Sequence, residues 1–314
     1  MHADRRQLTA FALLGLVMVL WAGNSIVGRA VRFDVPPLTL AFVRWLGASL
    51  ILLPFAATPL KRDWTAIKKA WKPILLLGLL GVGAFNALLY SGLRYTTATN
   101  ALLLQAAVPA LVVLFDRLFF AVRSPRLQTG GVAFSTLGVL AIVFEGDAAR
   151  AMKLHFGLGD LLVLASVLVW ALYTVFLRLR PAISATSFVA ATFLIGAAAM
   201  APLALGEWLS GQTIRWGPQV WGAFAYVCVL PSIVSYFIFN SATRTVGAAK
   251  AGQAITLLPL FGAFLSAALL GERLHGYHFA GMALIVAGIV LSVLALPRQV
   301  PAGAVPEPSL ENRA

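Results

Sequence analysis

Apolar residues run along this chain in blocks of membrane length, separated by short polar or basic connectors. A helix needs about 20 mostly apolar residues to cross a hydrocarbon layer roughly 30 Å thick. Ten blocks meet that length and are predicted as spans: residues 8–29, 36–56, 71–93, 99–121, 127–145, 158–179, 186–206, 218–242, 248–270 and 276–296. With such short connectors the spans consume nearly the whole sequence, which predicts one all-α membrane bundle without a soluble domain. The stretch 297–314, with Pro301, Pro306 and Pro308 among small and charged residues, reads as a disordered cytoplasmic tail.

The blocks also repeat. At an offset of 149, Leu13, Trp21, Ala22 and Arg29 meet Leu162, Trp170, Ala171 and Arg178. At an offset of 150, Trp71, Ser91, Arg94, Pro109, Arg123 and Gly131 meet Trp221, Ser241, Arg244, Pro259, Arg273 and Gly281. Tryptophan, proline and arginine pairs carry the weight, because leucine- and alanine-rich strings coincide by chance. The predicted units are residues 8–146 and 158–296, each of five spans. Five is odd, so the second copy must enter the membrane upside down relative to the first. Two inverted units around a central cavity can exchange conformations and open that cavity to either side in turn, which is the architecture of a carrier.

Composition agrees with the membrane reading: 60% of residues are hydrophobic, 11% are charged, and mean hydropathy is +0.89. A net charge of +13 would raise nucleic-acid binding for a soluble protein. Here the basic residues sit in connectors and set orientation instead. With the N-terminus inside, 16 Lys and Arg fall on the cytoplasmic side, including Lys61, Arg62, Lys68, Lys69 and Lys72, and 7 fall outside. The positive-inside rule then puts both termini in the cytoplasm, in a cytoplasmic (inner) membrane. No nucleic-acid partner is expected; the partners are a lipid bilayer and a small-molecule substrate, with the chain acting as a monomer. Cys228 is the single cysteine, so an internal disulfide and a cysteine-based metal site are excluded.

Polar residues inside spans should face the bundle or a water-filled hollow, because lipid offers them no partner. At 1.5 Å per helical residue, Asn24, Asn86, Tyr90 and Gln105 fall toward the outer third, Tyr173, Tyr236, Asn240 and Gln253 toward the inner third, and Trp21 and Trp170 near the middle. Asn86 with Tyr90, and Tyr236 with Asn240, are spaced i,i+4 and share a helix face. The two sets predict an outer and an inner polar vestibule around an aromatic waist. Each residue also has a plainer reading as an interhelical hydrogen bond or a packing ring. Arg44 is the one basic residue well inside a span. It can snorkel to the outer surface, bond helix-end carbonyls, or serve as the counter-charge for a substrate carboxylate.

Pro109, Pro231 and Pro259 fall within spans and are predicted to kink them as hinges. Gly78 and Gly81, Gly131 with Ser135, and Gly288 with Ser292 predict close helix approach. Acidic residues, among them Asp34, Asp63, Asp116, Glu207 and Glu272, lie in connectors or near helix ends. No carboxylate sits mid-membrane to carry protons or pair with a cationic drug, which favours gradient-driven movement over proton antiport. His2, His155, His275 and His278 lie in the tail or at connector edges. Without a nucleophile motif, HExxH, P-loop or glycine-rich nucleotide fingerprint, no enzyme, cofactor, catalytic residue or metal site is expected.

Three strings carry a resemblance: WAGNSIVGRA closing the first span, FVRWLGASLILLP in the second, and GERLHGYHFAGMALIVAGIVL at the end. Over residues 8 to 296 the chain resembles the drug/metabolite transporter superfamily, specifically its EamA-type exporters, and within them the exporters of aromatic amino acids. The resemblance implies ten helices, cytoplasmic termini, a central cavity and export of small metabolites. The function expected is a secondary transporter of aromatic or other neutral amino acids by facilitated diffusion. The alternatives are a proton-coupled exporter of lipophilic cations or drugs, and a non-transporting membrane sensor or scaffold.

Overall fold

In a membrane every helix start leaves backbone N–H groups that lipid cannot satisfy, so helix ends need explicit partners. The computed structural model describes residues 2–121, 126–144, 146–147, 157–246 and 257–294. The first half holds α1 (His2–Ala30), α2 (Pro37–Lys69), α3 (Trp71–Gly78), α4 (Phe85–Leu93), α5 (Ala98–Leu104), α6 (Val108–Phe120) and α7 (Arg126–Val143). The second holds α8 (Leu158–Phe176), α9 (Ala185–Leu209), α10 (Pro218–Cys228), α11 (Ser235–Val246), α12 (Leu258–Leu270) and α13 (Gly276–Leu294). A π-helical turn, Leu79–Ala84, joins α3 to α4, and another, Val229–Val234, joins α10 to α11. Among the described residues there is no strand.

Among the described residues, seven helical segments are long and apolar enough to cross a membrane: Leu8–Ala30, Pro37–Lys69, Trp71–Leu93, Ala98–Phe120, Leu158–Leu179, Ala185–Leu209 and Pro218–Phe239. The other three predicted spans fall on the shorter apolar helices Thr129–Ile142, Leu258–Leu270 and Gly276–Gly288.

Carboxylates from one helix cap the start of another. Glu207, near the end of α9, accepts the Leu38 and Thr39 N–H groups at 3.0 and 2.7 Å and the Thr39 hydroxyl at 2.8 Å. At the opposite end of the same pair, Asp63 of α2 accepts the Ser184 N–H at 2.9 Å, just before α9 begins. These contacts fix α2 and α9 as antiparallel. Glu272, after α12, closes the start of α5 in the same way through Ala98 and Thr99. Helices α7 and α13 also run antiparallel, and glycine makes their approach possible. A Cβ on Gly138 would lie 2.6 Å from the Gly281 carbonyl oxygen. Small residues at such crossings bring backbones together where no hydrophobic force acts between helices.

The two π-helical turns lie 150 residues apart, the offset at which the sequence predicts a repeat. Widening the helix frees carbonyls, and neighbouring side chains take them up. Ser232 and Ser235 hydroxyls donate to the Val227 and Leu230 carbonyls at 2.8 and 2.9 Å, and the Asn86 amide donates to the Val82 carbonyl at 3.0 Å. Pro231, lacking an N–H, sits inside the second turn. The sequence predicted only a kink there, and the first turn, with Gly81 and Gly83 in place of proline, carried no proline signal.

Three boundaries differ from expectation. The second span runs to Lys69 rather than 56, because residues 57–69 are mostly helix formers without a glycine stop, and Pro54 and Pro59 are absorbed within the helix. The predicted fourth span breaks at a 3-10 turn, Gln105–Ala107. Pro109 and Pro259 stand in the first turns of α6 and α12 rather than mid-helix, where a missing N–H is tolerated. Gln253 and the predicted tail at 297–314 lie outside the described residues.

Replacing Glu207 by Ala leaves three donors at a buried helix start without an acceptor. It should cost about 2 kcal/mol or more, read as a lower melting temperature of the detergent-purified protein, with Glu207→Gln intermediate.

Candidate functional site

Polar side chains of the first half converge on one buried cation. Arg44, on α2, is 5% exposed. Its Nη1 donates to Asn24 Oδ1 at 2.7 Å, Asn86 Oδ1 at 2.9 Å and Tyr90 Oη at 3.0 Å. Its Nε donates to Ser232 Oγ of the second π-helical turn at 3.0 Å. The Tyr90 hydroxyl in turn donates to Asn24 Oδ1 at 2.6 Å. The network therefore joins α1, α2, α4 and the second half of the chain. Arg44 neither snorkels nor meets helix-end carbonyls: Asn24 and Asn86, one turn from the aromatic rings that close the core, intercept it first. Its guanidinium carbon lies 4.4 Å from the Trp45 ring centre, and Trp45 packs on Phe193 at 4.6 Å.

Beside this network lies a cavity of about 290 Å³, lined from both halves of the sequence. Trp21, Asn24, Arg44, Trp45, Phe85, Asn86 and Gln105 face it from the first half, and Trp170, Thr174, Tyr236 and Pro259 from the second. Trp21 is held by an indole N–H bond to the Pro231 carbonyl at 3.0 Å, one of the groups the π-helical turn exposes. Its ring meets Tyr236 at 6.2 Å. Trp170 packs on Phe85 at 4.7 Å and on Tyr173 at 5.0 Å. Gly81 lets Tyr173 this close, since a Cβ there would lie 2.5 Å from the ring. A second cavity of about 260 Å³, lined by residues including Thr186, Val189, Phe193, Ser232 and Tyr236, adjoins the first across Tyr236.

Most of the residues singled out from the sequence thus meet in one place. Trp21, Asn24, Arg44, Asn86, Gln105, Trp170, Tyr236 and Pro259 line the central cavity. Tyr90 stands behind Arg44, and Tyr173 stands behind Trp170. Asn240 belongs to α11, but its side chain and all of Gln253 lie outside what is described. With Asn240 and Gln253 outside what is described, the described residues show the outer polar set gathered around Arg44. At the repeat offset, Asn24, Arg44 and Asn86 meet Tyr173, Phe193 and Tyr236, so hydrogen-bonding groups on one side face rings on the other. Trp45, Phe85 and Ser232 were not anticipated: Trp45 and Phe85 carry no polar signal, and Ser232 matters only because the π-helical turn aims it. His278 is structural, its Nδ1 accepting the His275 N–H at 2.9 Å while Nε2 meets Asn100 Oδ1 at 3.1 Å.

The electrostatics follow from the partners. A guanidinium stays charged at any working pH, and among the described residues no carboxylate lines this cavity. The hollow therefore carries an uncompensated positive charge. A second cation held roughly 6 Å away would be repelled by about 3 kcal/mol at an effective dielectric constant of about 20. Stacking that cation on an indole returns about 0.5–2 kcal/mol, so repulsion prevails.

A bundle of apolar helices around a hollow shared by both halves of its sequence belongs to the multi-pass membrane transporters. The chain belongs to the EamA-like transporter family, whose model matches it twice, at residues 8–144 and 157–294. It is 26% identical to the uncharacterized transporter YyaM of Bacillus subtilis (strain 168), over 91% of this chain and 94% of that protein. It is 25% identical to a probable amino-acid metabolite efflux pump of Escherichia coli (strain K12), over 90% of this chain and 93% of that protein. A crystal structure of a protein 19% identical in sequence has the same fold, with a TM-score of 0.61 over 91% of this chain and 96% of that one.

Tyr90→Phe removes the hydroxyl that both accepts from Arg44 and fixes Asn24. It should lower stability by about 1–2 kcal/mol, seen as a drop in the melting temperature, whereas Tyr95→Phe, at an exposed ring, should leave it unchanged.

Proposed function

We propose that this protein is a secondary transporter that exports small, partly apolar metabolites across the cytoplasmic membrane by alternating access, with aromatic and other neutral amino acids the favoured class. The observation that carries this reading is the central cavity, onto which Trp21 and Trp170, equivalent residues of the two halves, both open. Ten spans in two inverted five-helix units, residues 8–146 and 158–296, would give the cavity its two exits. The antiparallel pairing of α2 with α9 supports inversion, since these are equivalent helices of the two halves. The double match to one family model supports duplication.

Contacts between connectors support the division of the connectors between two sides that an orientation with both termini in the cytoplasm requires. Asp63 reaches Ser184 and Arg178 reaches Asp116, all on the side the basic residues assign to the cytoplasm. Arg94 reaches Gln212 and Gln219 reaches Asp34 on the other. Two relatives described as probable amino-acid metabolite efflux pumps support the direction and the substrate class. The positive charge of the cavity weighs against lipophilic cations, and with no carboxylate in its lining, movement down the substrate gradient is favoured over proton exchange.

Purified protein in liposomes should move phenylalanine or tryptophan and leave a cationic dye untouched, at a rate that an imposed proton gradient does not change. Trp21→Phe and Trp170→Phe should each lower that rate several-fold in protein that remains folded by its melting transition. Dye transport driven by the proton gradient would establish the drug-export alternative instead.

A further inference from the structure

We infer, resting on the transport reading above, that the cavity recognises the carboxylate of its cargo and offers no counter-charge to an amino group. Aryl and alkyl carboxylic acids without an amine are then cargo at least as good as the amino acids that share their side chains. The guanidinium supplies the first half of the inference. Arg44 lines the cavity, and its hydrogen bonds run from Nη1 and Nε, so that among the described residues Nη2 and its two N–H donors have no protein partner. A guanidinium fork matches a carboxylate better than any other side chain does. Two donors without acceptors, carried by a fixed positive charge on the cavity wall, call for an anion.

The second half comes from what the acceptors are already doing. An ammonium group brings three donors and no acceptor. The oxygens closest at hand, Asn24 Oδ1, Asn86 Oδ1 and Tyr90 Oη, are turned toward Arg44. An ammonium seated there would compete with the guanidinium for them and meet its charge. The rest of the lining is largely aromatic, with Trp21, Tyr236 and Trp170, the last packed on Phe85. That lining suits a ring or alkyl body and offers no second ionic site.

The test compares phenylpropionate, phenylalanine, phenylpropanamide and phenethylamine, which share one body and differ in charge. Binding to the full-length protein in zwitterionic-lipid nanodiscs is measured by calorimetry, and transport in liposomes by direct assay. Phenylpropionate should bind at least as tightly as phenylalanine, the amide about tenfold more weakly, a difference of about 1.4 kcal/mol, and the amine not at all. Arg44→Gln should weaken phenylpropionate by a similar factor and the amide by much less, and Arg44→Lys should retain part of the affinity. Amine binding that equals phenylpropionate binding, or an Arg44→Gln affinity within twofold of the parent protein, overturns the inference. Should the Arg44 variants fail to fold, the ranking of the four compounds on the parent protein decides alone. Phenylalanine transported in a Trp21-dependent way while phenylpropionate neither binds nor moves would defeat the carboxylate inference and leave the transporter reading standing. Failure of every compound to bind or move would defeat both.

Discussion

A charged guanidinium without a carboxylate partner, held inside an apolar bundle, is the constraint around which the rest of this structure is arranged. Removing such an ion from water costs several kcal/mol, and hydrogen bonds to a charged group return about 1.5–3 kcal/mol each. Arg44 makes four, to Asn24, Asn86, Tyr90 and Ser232. All four acceptors are neutral, so the network satisfies geometry without cancelling charge. Because they come from α1, α4 and the second π-helical turn, any relative movement of these elements must break or remake bonds at the same point.

The π-helical turns make that convergence possible. A regular α-helix offers no free carbonyl for Trp21 and no reason for Ser232 to turn inward. The widened turn at Val229–Val234 provides both, through the Pro231 carbonyl and the Ser232 hydroxyl. In the first half the corresponding turn places Asn86 two residues beyond its end and leaves Gly81 as the flat surface on which Tyr173 rests. An aromatic side chain so supported does not collapse into the hollow beside it, which is one way a cavity persists in a close-packed interior.

Membrane class and the all-helical fold were legible in the sequence because they rest on period and composition, which local chemistry alone determines. The rendezvous of Asn24, Asn86, Tyr90 and Arg44 was half legible. Each residue stood out as polar within a span, yet depth along a helix axis separates residues that a long side chain reunites, and Arg44 spans that distance. The π-helical turns were illegible for a different reason: Leu-Leu-Gly-Val-Gly-Ala and Val-Leu-Pro-Ser-Ile-Val share no pattern, and what they have in common is a tertiary demand. The caps by Glu207, Glu272 and Asp63 escaped notice because each carboxylate closes a helix more than 100 residues away.

On the proposed duplication, the divergence of the two halves is informative. With identical halves, exchanging their conformations would return a state of equal energy, and an inverted pair would spend equal time open to each side. Here the position of Arg44 is taken by Phe193 in the other half, and those of Asn24 and Asn86 by Tyr173 and Tyr236. The exchanged arrangement cannot rebuild a four-bond network around a cation, because its counterpart holds rings. If the halves exchange as proposed, the resting population is set by that difference, and a ligand that binds the guanidinium shifts it only as far as it binds one state better than the other. An anion that replaces Asn24 or Asn86 as the partner of Arg44 would loosen the ties between α1, α4 and the second half. Cargo recognition and the opening of the bundle would then be one event at one side chain.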